Sequence, residues 1–471
     1  MYENNPHPLE YLFHPRSIAV VGVSSSSDGF ANQMFLQTLI DFKFPGPLYP
    51  INPHAETICG LKAYKSIIDV PGPLDYAIIS IPATHTPLVI SECASKGVKA
   101  VSLFTANFAD SGQKEGRDLS ENIVTIARSG GVRLLGPNCM GIYCPSSRLS
   151  FNSILPRDSG NMAFISQSGR YAQEFAKWGA RRGLRFSKVI SYGNAVDLNE
   201  SDFIDYLVHD SETGVIGAYI EGARNGQALF RALTAAKREK PVLILKGGST
   251  EAGARTANSH TGSMGGSVKL WDTLFNQTGA LRISNFEELI DTALAFSLMQ
   301  PPKGKGVAVV GGGGGVSVLA ADACINAGLT IPELSLTIQQ KLRNVVPVAG
   351  TSVRNPVDYA PHNMHEPELF AETIKQVSSS SGIHTIIPHI ALEFSVSEEG
   401  NKLGNLTEAL LTAGKTCGKS MMLVTDIVET PEAVLELDRV RQKFAKAGIP
   451  VYYTMSQAIR SLGHVIKYYR R

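Results

Sequence analysis

Ser17-Ile18-Ala19-Val20-Val21-Gly22-Val23-Ser24 is apolar from Ile18 to Val23, interrupted only by Gly22 and closed by Ser24. A strand that is apolar on both sides of its pleat is buried on both faces, as in a parallel sheet covered by helices. Three further runs of this kind follow at 74–82, 99–104 and 132–136, with helical stretches such as 87–97 between them. Strands and helices alternating in this way predict a doubly wound α/β unit.

Outward from that unit, the theme repeats twice. Residues 144–160 lack periodicity and carry turn formers, which marks a boundary. Beyond it, 162–166, 186–191, 214–220 and 241–245 read as strands. A second boundary falls at Pro301-Pro302-Lys303-Gly304-Lys305, followed by strands at 307–310, 385–388, 421–424 and 450–453. The predicted fold class is α/β, with three doubly wound domains covering 1–145, 146–300 and 301–471. The 471-residue length agrees, at about 150 residues per domain.

Composition excludes several classes of function. With 43% hydrophobic and 18% charged residues, the chain can fill several cores and is not a disordered polymer. Lys and Arg number 44 against 42 Asp and Glu, so the net charge of +2 provides no field for nucleic acid. The cysteines, at 59, 93, 139, 144, 324 and 417, include no CxxC pair, so neither a disulfide framework nor a structural zinc site is expected. His362 with His365, and His384 with His389, lack a supporting ligand set, so no metal is expected. Residues 1–10 are polar, without the apolar core of a signal peptide. The longest run free of charge and of large polar groups, 307–321, is too short and too rich in glycine to span a bilayer. A cytoplasmic protein with no membrane contact is expected.

Several loops carry chemistry. Gly22-Val23-Ser24 and the small residues 25–29 lie between a strand and a helix expected from about Phe30. Backbone N–H groups there can face a phosphate. GxGxxG is absent and no carboxylate is placed to hold a ribose, which disfavours a nicotinamide-dependent oxidoreductase. Ser166-Gln167-Ser168-Gly169 closes another strand and opens a helix, so it reads either as a phosphate cradle or as an N-cap. It is not a nucleophile elbow, because Ser166 stands where GxSxG needs glycine.

His260 lies among small polar residues in an expected loop and could act as phosphoryl acceptor or general base. Glu221, in Tyr219-Ile220-Glu221-Gly222 at a strand end, could orient such a histidine or be a solvated carboxylate. Gly414-Lys415-Thr416 and Gly418-Lys419-Ser420 mimic the end of a Walker A motif, but its glycines are replaced by Ala409 and Ala413. Gly311–Gly315 reads as a flexible turn into a helix from Ser317.

Taken in order, Gly136-Pro-Asn-Cys-Met-Gly141, Ser166-Gln-Ser-Gly169, Gly193-Asn-Ala-Val-Asp197, Tyr219-Ile-Glu-Gly222, Ser259-His-Thr-Gly262 and Asn355-Pro-Val-Asp358 resemble the nucleoside-diphosphate-forming acyl-CoA synthetases. That superfamily includes the α subunit of succinyl-CoA ligase. The resemblance covers nearly the whole chain. It implies a Rossmann-like CoA-binding domain followed by two flavodoxin-like ligase domains, as the catalytic α subunit of an ADP-forming enzyme. Acyl-CoA, phosphate and ADP would be interconverted with a carboxylic acid, CoA and ATP through an acyl phosphate and a phosphohistidine.

By the same resemblance, His260 is the phosphorylated residue and Glu221 its orienting partner. Ser166, Ser168 and Gly169 belong to the phosphate site, and Gly22, Ser24, Pro82 and Asn138 to the CoA region. ADP or ATP and Mg2+ are expected on an ATP-grasp β subunit, in a hetero-oligomer. The chain departs from the family pattern at Ala31, in the loop Ser25 to Asp28 without a basic residue, and at Asn107-Phe108-Ala109-Asp110, Arg170 and Ser249. These departures sustain one alternative, a CoA- or acyl-CoA-sensing regulatory subunit without turnover.

Overall fold

A computed structural model describes the backbone of residues 7–24, 33–261, 268–346, 351–358, 366–392, 396 and 402–470. Side chains are described for all of these except 257–261 and 402. The chain forms two compact units, Met1–Lys177 with Arg185–Ser284, and Trp178–Leu184 with Asn285–Arg471.

The first unit begins with strands β1 (Ile18–Val21), β2 (Leu48–Ile51), β3 (Thr57–Ile58), β4 (Leu61–Lys62), β5 (Tyr76–Ile79), β6 (Ala100–Leu103) and β7 (Arg133–Leu135). β3 and β4 pair with each other as a hairpin, and the rest form a parallel sheet in the order β2-β1-β5-β6-β7. All four residues of β1 are buried, as an apolar run predicts. Val21, Ile79 and Leu103 share a core with Ile90 of the helix Thr86–Lys96 and with Ile123 and Ala127 of the helix Lys114–Ser129. Each buried Val, Leu or Ile side chain among these contributes about 1.5–3 kcal/mol relative to an exposed one.

A second sheet in this unit contains β8 (Gly141–Tyr143), β9 (Ser159–Ser166), β10 (Phe186–Ser191), β11 (Val215–Ile220), β12 (Val242–Lys246) and β13 (Leu281–Ile283). Their order is β13-β12-β11-β9-β10-β8. β9 to β13 run parallel, whereas β8 lies antiparallel on β10, with Tyr143 opposite Val189 and Gly141 opposite Ser191. The sequence did not reveal β8, because three residues are too few to show a period. In both sheets the strand order reverses at the first parallel strand. That leaves a crevice at the carboxyl ends of β1 and β5 in one sheet, and of β9 and β11 in the other, where doubly wound folds bind ligands.

Two motifs join these sheets. Arg133 Nε donates to Asp197 Oδ2 at 2.8 Å, and the Leu134 N–H reaches the same oxygen at 3.0 Å. The N–H groups of Asn194, Val196 and Leu198 donate to the carbonyls of Pro137, Gly136 and Leu134. Gly193 allows the close approach, since a Cβ there would sit 2.2 Å from the Pro137 oxygen.

The second unit contains β14 (Val307–Val310), β15 (Thr385–Ile390), β16 (Ser420–Met421), β17 (Leu423–Thr425) and β18 (Val451–Tyr452), all parallel. The order is β14-β15-β17-β18, with β16 on β15. The helix expected from Ser317 begins earlier and spans Gly313–Asn326. Gly311, Gly312 and Gly313, at φ of 95°, 90° and 72°, turn the chain out of β14. Their lack of side chains hid the first helical turn from a reading by apolar period. The helix expected from about Phe30 is described over Met34–Asp41, and 25–32 lie outside the described residues, as do His362 and His365. No helix among the described residues is long and apolar enough to cross a membrane.

Candidate functional site

At the end of β9 the Ser166 hydroxyl donates to the Ser168 carbonyl at 2.7 Å and accepts from the Ser168 N–H at 3.1 Å. Ser168 Oγ accepts from the Tyr171 N–H at 3.3 Å. Both hydroxyls therefore shape and cap the start of the helix Gly169–Arg181. The positive end of that helix opens at the crevice, where backbone N–H groups favour an anion.

Glu221 follows β11, directly beside this turn. Gln167, between the two serines, staples the adjacent strand ends together. Its Oε1 accepts from the N–H groups of Glu221 and Gly222, and its Nε2 donates to the Gly222 carbonyl at 3.2 Å. The Glu221 side chain is 6% exposed. Its Oε1 accepts from the Tyr219 hydroxyl at 3.2 Å, and its Oε2 is buried with no partner among the described residues. Lys246, closing β12, donates from Nζ to the Glu221 carbonyl at 2.7 Å and to the Gly247 carbonyl. Burial pulls the Lys246 pKa down to about 8.

Sequence reasoning missed a second layer behind this turn. Tyr192 Oη and both carboxylate oxygens of Glu200 are buried without partners among the described residues. Burial raises the Glu200 pKa to about 7, with Asp202 adding to the shift and Arg224 opposing it. Arg224 Nη2 donates to the Asn194 carbonyl at 2.9 Å. Glu200 reads in sequence as an ordinary acidic residue in the first turn of the helix Glu200–His209, and nothing local signals its burial.

His260 corrects one expectation. Its backbone lies in the last turn of the helix Glu251–Thr261, not in a loop. The run of Ala, Gly, Thr, Asn and Ser has no apolar period, which concealed the helix. That helix packs against the turn Ala109–Ser111. The His260 side chain is outside the described ones. Asn107 and Asp110 complete the turn: Asn107 takes φ 71°, and Asp110 accepts from the N–H groups of Asn107 and Phe108 and from Asn194 Nδ2 at 2.8 Å.

The first crevice gathers three of the four residues expected for CoA. Gly22, at φ 89°, is packed so closely that a Cβ would sit 2.1 Å from the Ser80 carbonyl oxygen. The Ser24 carbonyl accepts from Gln33 Nε2 at 3.0 Å, and Pro82 lies just beyond neighbouring β5. Asn138 approaches from the β7 side, at φ 57° with its N–H on the Thr105 carbonyl, and the Thr105 hydroxyl donates to the Ile81 carbonyl beside Pro82 at 2.7 Å. Among the described residues, His14, Cys144 and Glu212 bring potential metal-ligating atoms within 4.8 Å of one another. The Lys188 ammonium, 2.8 Å from Glu212, already supplies a cation there.

Comparison with known proteins matches three family descriptions along the chain. These are a CoA binding domain over 16–145, a succinyl-CoA ligase like flavodoxin domain over 159–296 and a Ligase-CoA domain over 307–397. The α subunit of ADP-forming acetate–CoA ligase II from Pyrococcus furiosus is 38% identical over 74% of this chain and 76% of its own length. The α subunit of isoenzyme I from the same organism is 31% identical over 98% and 97%. Acetyl-coenzyme A synthetase 1 of Ca. Korarchaeum cryptofilum, solved with phosphate and ADP, superposes with a TM-score of 0.86 at 31% identity, covering 98% and 97%. Some relatives are longer, and this chain spans 64% of one that it matches along 98% of itself. The domain set is that of an acid–thiol ligase on the succinyl-CoA ligase plan. The chain belongs to the ADP-forming acyl-CoA synthetase family and matches that family's α subunits along nearly all of its length.

Proposed function

We propose that this chain interconverts acyl-CoA, phosphate and ADP with a carboxylic acid, CoA and ATP by carrying the phosphoryl group on His260. Phosphate attacks the thioester carbonyl, forming the acyl phosphate as the C–S bond breaks and CoA leaves as its thiolate. His260 Nε2 then attacks phosphorus, and the bond from phosphorus to the acid's oxygen breaks, leaving the free carboxylate. Transfer from the phosphohistidine to ADP restores the imidazole.

The observation that carries this reading is the buried, unpartnered Oε2 of Glu221 beside the helix start at Gly169. A buried charged acceptor without a donor is costly, and an imidazole Nδ1–H would satisfy it. That hydrogen bond fixes the tautomer with a free Nε2 lone pair and stabilises the positive charge that develops on the ring. The N–H groups at Ser168 and Gly169 would oppose the phosphoryl charge. CoA would occupy the crevice at Gly22, Ser24 and Pro82, within a domain ending near 145. The ligase domains would follow over 146–300 and 301–471.

ADP and Mg2+ are assigned to an ATP-grasp β partner, since this chain carries no Walker A motif and a longer relative has about a third of its own length beyond the part matched here. Kinship with catalytic α subunits does not favour the CoA-sensing alternative. The test is labelling from acyl-CoA plus radioactive phosphate. Wild type should acquire an acid-labile, base-stable label, and His260→Ala should acquire none while still binding CoA. Undiminished labelling of that variant would place the carrier at another residue.

A further inference from the structure

In the second unit a cavity of about 320 Å3 opens among Trp178, Arg181, Arg182, Asp438, Arg441 and Tyr453. Asp438 and Arg441 lie one turn apart on the helix Pro431–Lys446. None of these residues takes part in the phosphoryl transfer proposed above.

The arginines carry more charge than their partners neutralise. Arg181 Nε holds Asp438 at 2.7 Å. Arg182 Nη1 holds the buried Asp291 at 2.5 Å, and its Nη2 donates to the Val451 carbonyl. Arg441 is left with Asp438 at 3.8 Å as its nearest carboxylate, already engaged by Arg181. Yet Arg441 is only 3% exposed, with its guanidinium 4.3 Å over the Tyr453 ring. Its Nε and Nη2, and Nε of Arg182, are buried without partners among the described residues. Burial and the neighbouring Arg182 both press the Arg441 pKa downward. Buried arginines are ordinarily kept by anions that pair with them, and the one further carboxylate lining the cavity, the exposed Glu287, is paired with none of the three arginines.

The rim adds a second kind of contact. Trp178 is 51% exposed, edge-on to Phe286, and offers a flat apolar wall beside the charged floor. The three unpartnered nitrogens carry four N–H groups, one on each Nε and two on Arg441 Nη2, and the three terminal oxygens of a phosphate monoester offer them more acceptors than the two of a carboxylate. The volume suits a ligand at the small end of the range for bound organic molecules.

We propose that this pocket binds a small organic phosphate bearing a planar ring, of nucleoside monophosphate size, with its phosphate between Arg182 and Arg441 and its ring against Trp178. The site is separate from the nucleotide site assigned to the β partner. Its occupancy would supply the counter-ion that Arg441 lacks.

The chain has two tryptophans, so Trp271→Phe leaves Trp178 as the single indole reporter. Titration of this full-length variant with AMP should quench the Trp178 fluorescence saturably. Inorganic phosphate should compete with AMP while quenching little itself, and adenosine should bind far more weakly. Adding Arg441→Met, with folding checked by circular dichroism, should weaken AMP by about 10-fold or more, the scale of a lost charge-assisted contact. If that variant fails to fold, calorimetry on Trp178→Ala replaces it: AMP should bind more weakly than to wild type and still be displaced by phosphate. The proposal is overturned if AMP gives no saturable signal up to about 10 mM, a Kd corresponding to under about 3 kcal/mol of binding. Unchanged AMP affinity in a folded Arg441→Met protein also overturns it, as does failure of phosphate to compete. Tighter binding of benzoate than of AMP would overturn the phosphate assignment.

Discussion

Glu221→Gln isolates the charge of the proposed orienting group while keeping its shape. The glutamine carbonyl can still accept from the Tyr219 hydroxyl, which in the native protein reaches Oε1 at 3.2 Å. Its amide nitrogen then occupies the place of Oε2, the buried oxygen left without a partner. An acceptor becomes a donor, and an imidazole Nδ1–H facing it loses its bond. Hydrogen bonds to charged groups are worth about 1.5–3 kcal/mol, so the transfer should slow by about 10- to 160-fold at about 1.36 kcal/mol per decade. The assay is the initial rate of acid-labile, base-stable labelling from acyl-CoA and radioactive phosphate, with His260→Ala as the zero. CoA binding should stay at the wild-type level, which separates loss of orientation from loss of structure. A labelling rate within about 3-fold of wild type, well below the loss expected for a charged hydrogen bond, would refute the assignment of Oε2 to the histidine.

Gly22→Ala should both destabilise the protein and weaken CoA. Its φ of 89° costs an L residue about 1–2 kcal/mol, and the new Cβ meets the Ser80 carbonyl; denaturant midpoints and CoA calorimetry on the full chain report the two effects, and NAD should give no heat. Glu200 has its native pKa raised by burial from 4.5 to about 7, so the stability it contributes is full below pH 4.5 and lost as pH rises through 7. The unfolding free energy of wild type minus that of Glu200→Gln should therefore fall across that window; a flat difference would show that Glu200 ionises freely. Lys246 has its native pKa lowered by burial from 10.5 to about 8, so the unfolded chain holds more protons between those values and stability rises with pH there. Wild type minus Lys246→Met should rise from pH 8 to 10.5, followed by urea unfolding at successive pH values.

Most of the scaffold was legible because its strands are buried on both faces. The apolar runs at 18–21, 76–79, 162–166 and 215–220 declared themselves without help from their neighbours. Loops at strand ends marked both crevices, since Ser168-Gly169 and Gly22 carry the small residues that close approach requires. Features set by tertiary neighbours were not legible. Gln167 looks like any polar loop residue until β9 and β11 become adjacent and its amide bridges their ends. Lys246 and Glu200 look like solvated charges, and only the packing around them makes their charged forms expensive. The helix that carries His260 is built from small polar residues, so its helicity left no trace in the hydrophobic pattern.

The antiparallel strand Gly141–Tyr143 also determines how this polypeptide can be divided. The route by which the chain leaves the first sheet is the last strand of the second. A cut in the turn Pro145–Ser147 would give one fragment a loose three-residue ribbon and the other a bare edge at Val189–Ser191. Bare edges recruit foreign strands, so each fragment alone should be prone to aggregate. Mixed together, the ribbon can return to its groove, and the Arg133–Asp197 contact can close beside it. A split-gene pair broken at that turn should therefore complement only when both halves are made together, so that in inheritance the first two sheets behave as one piece.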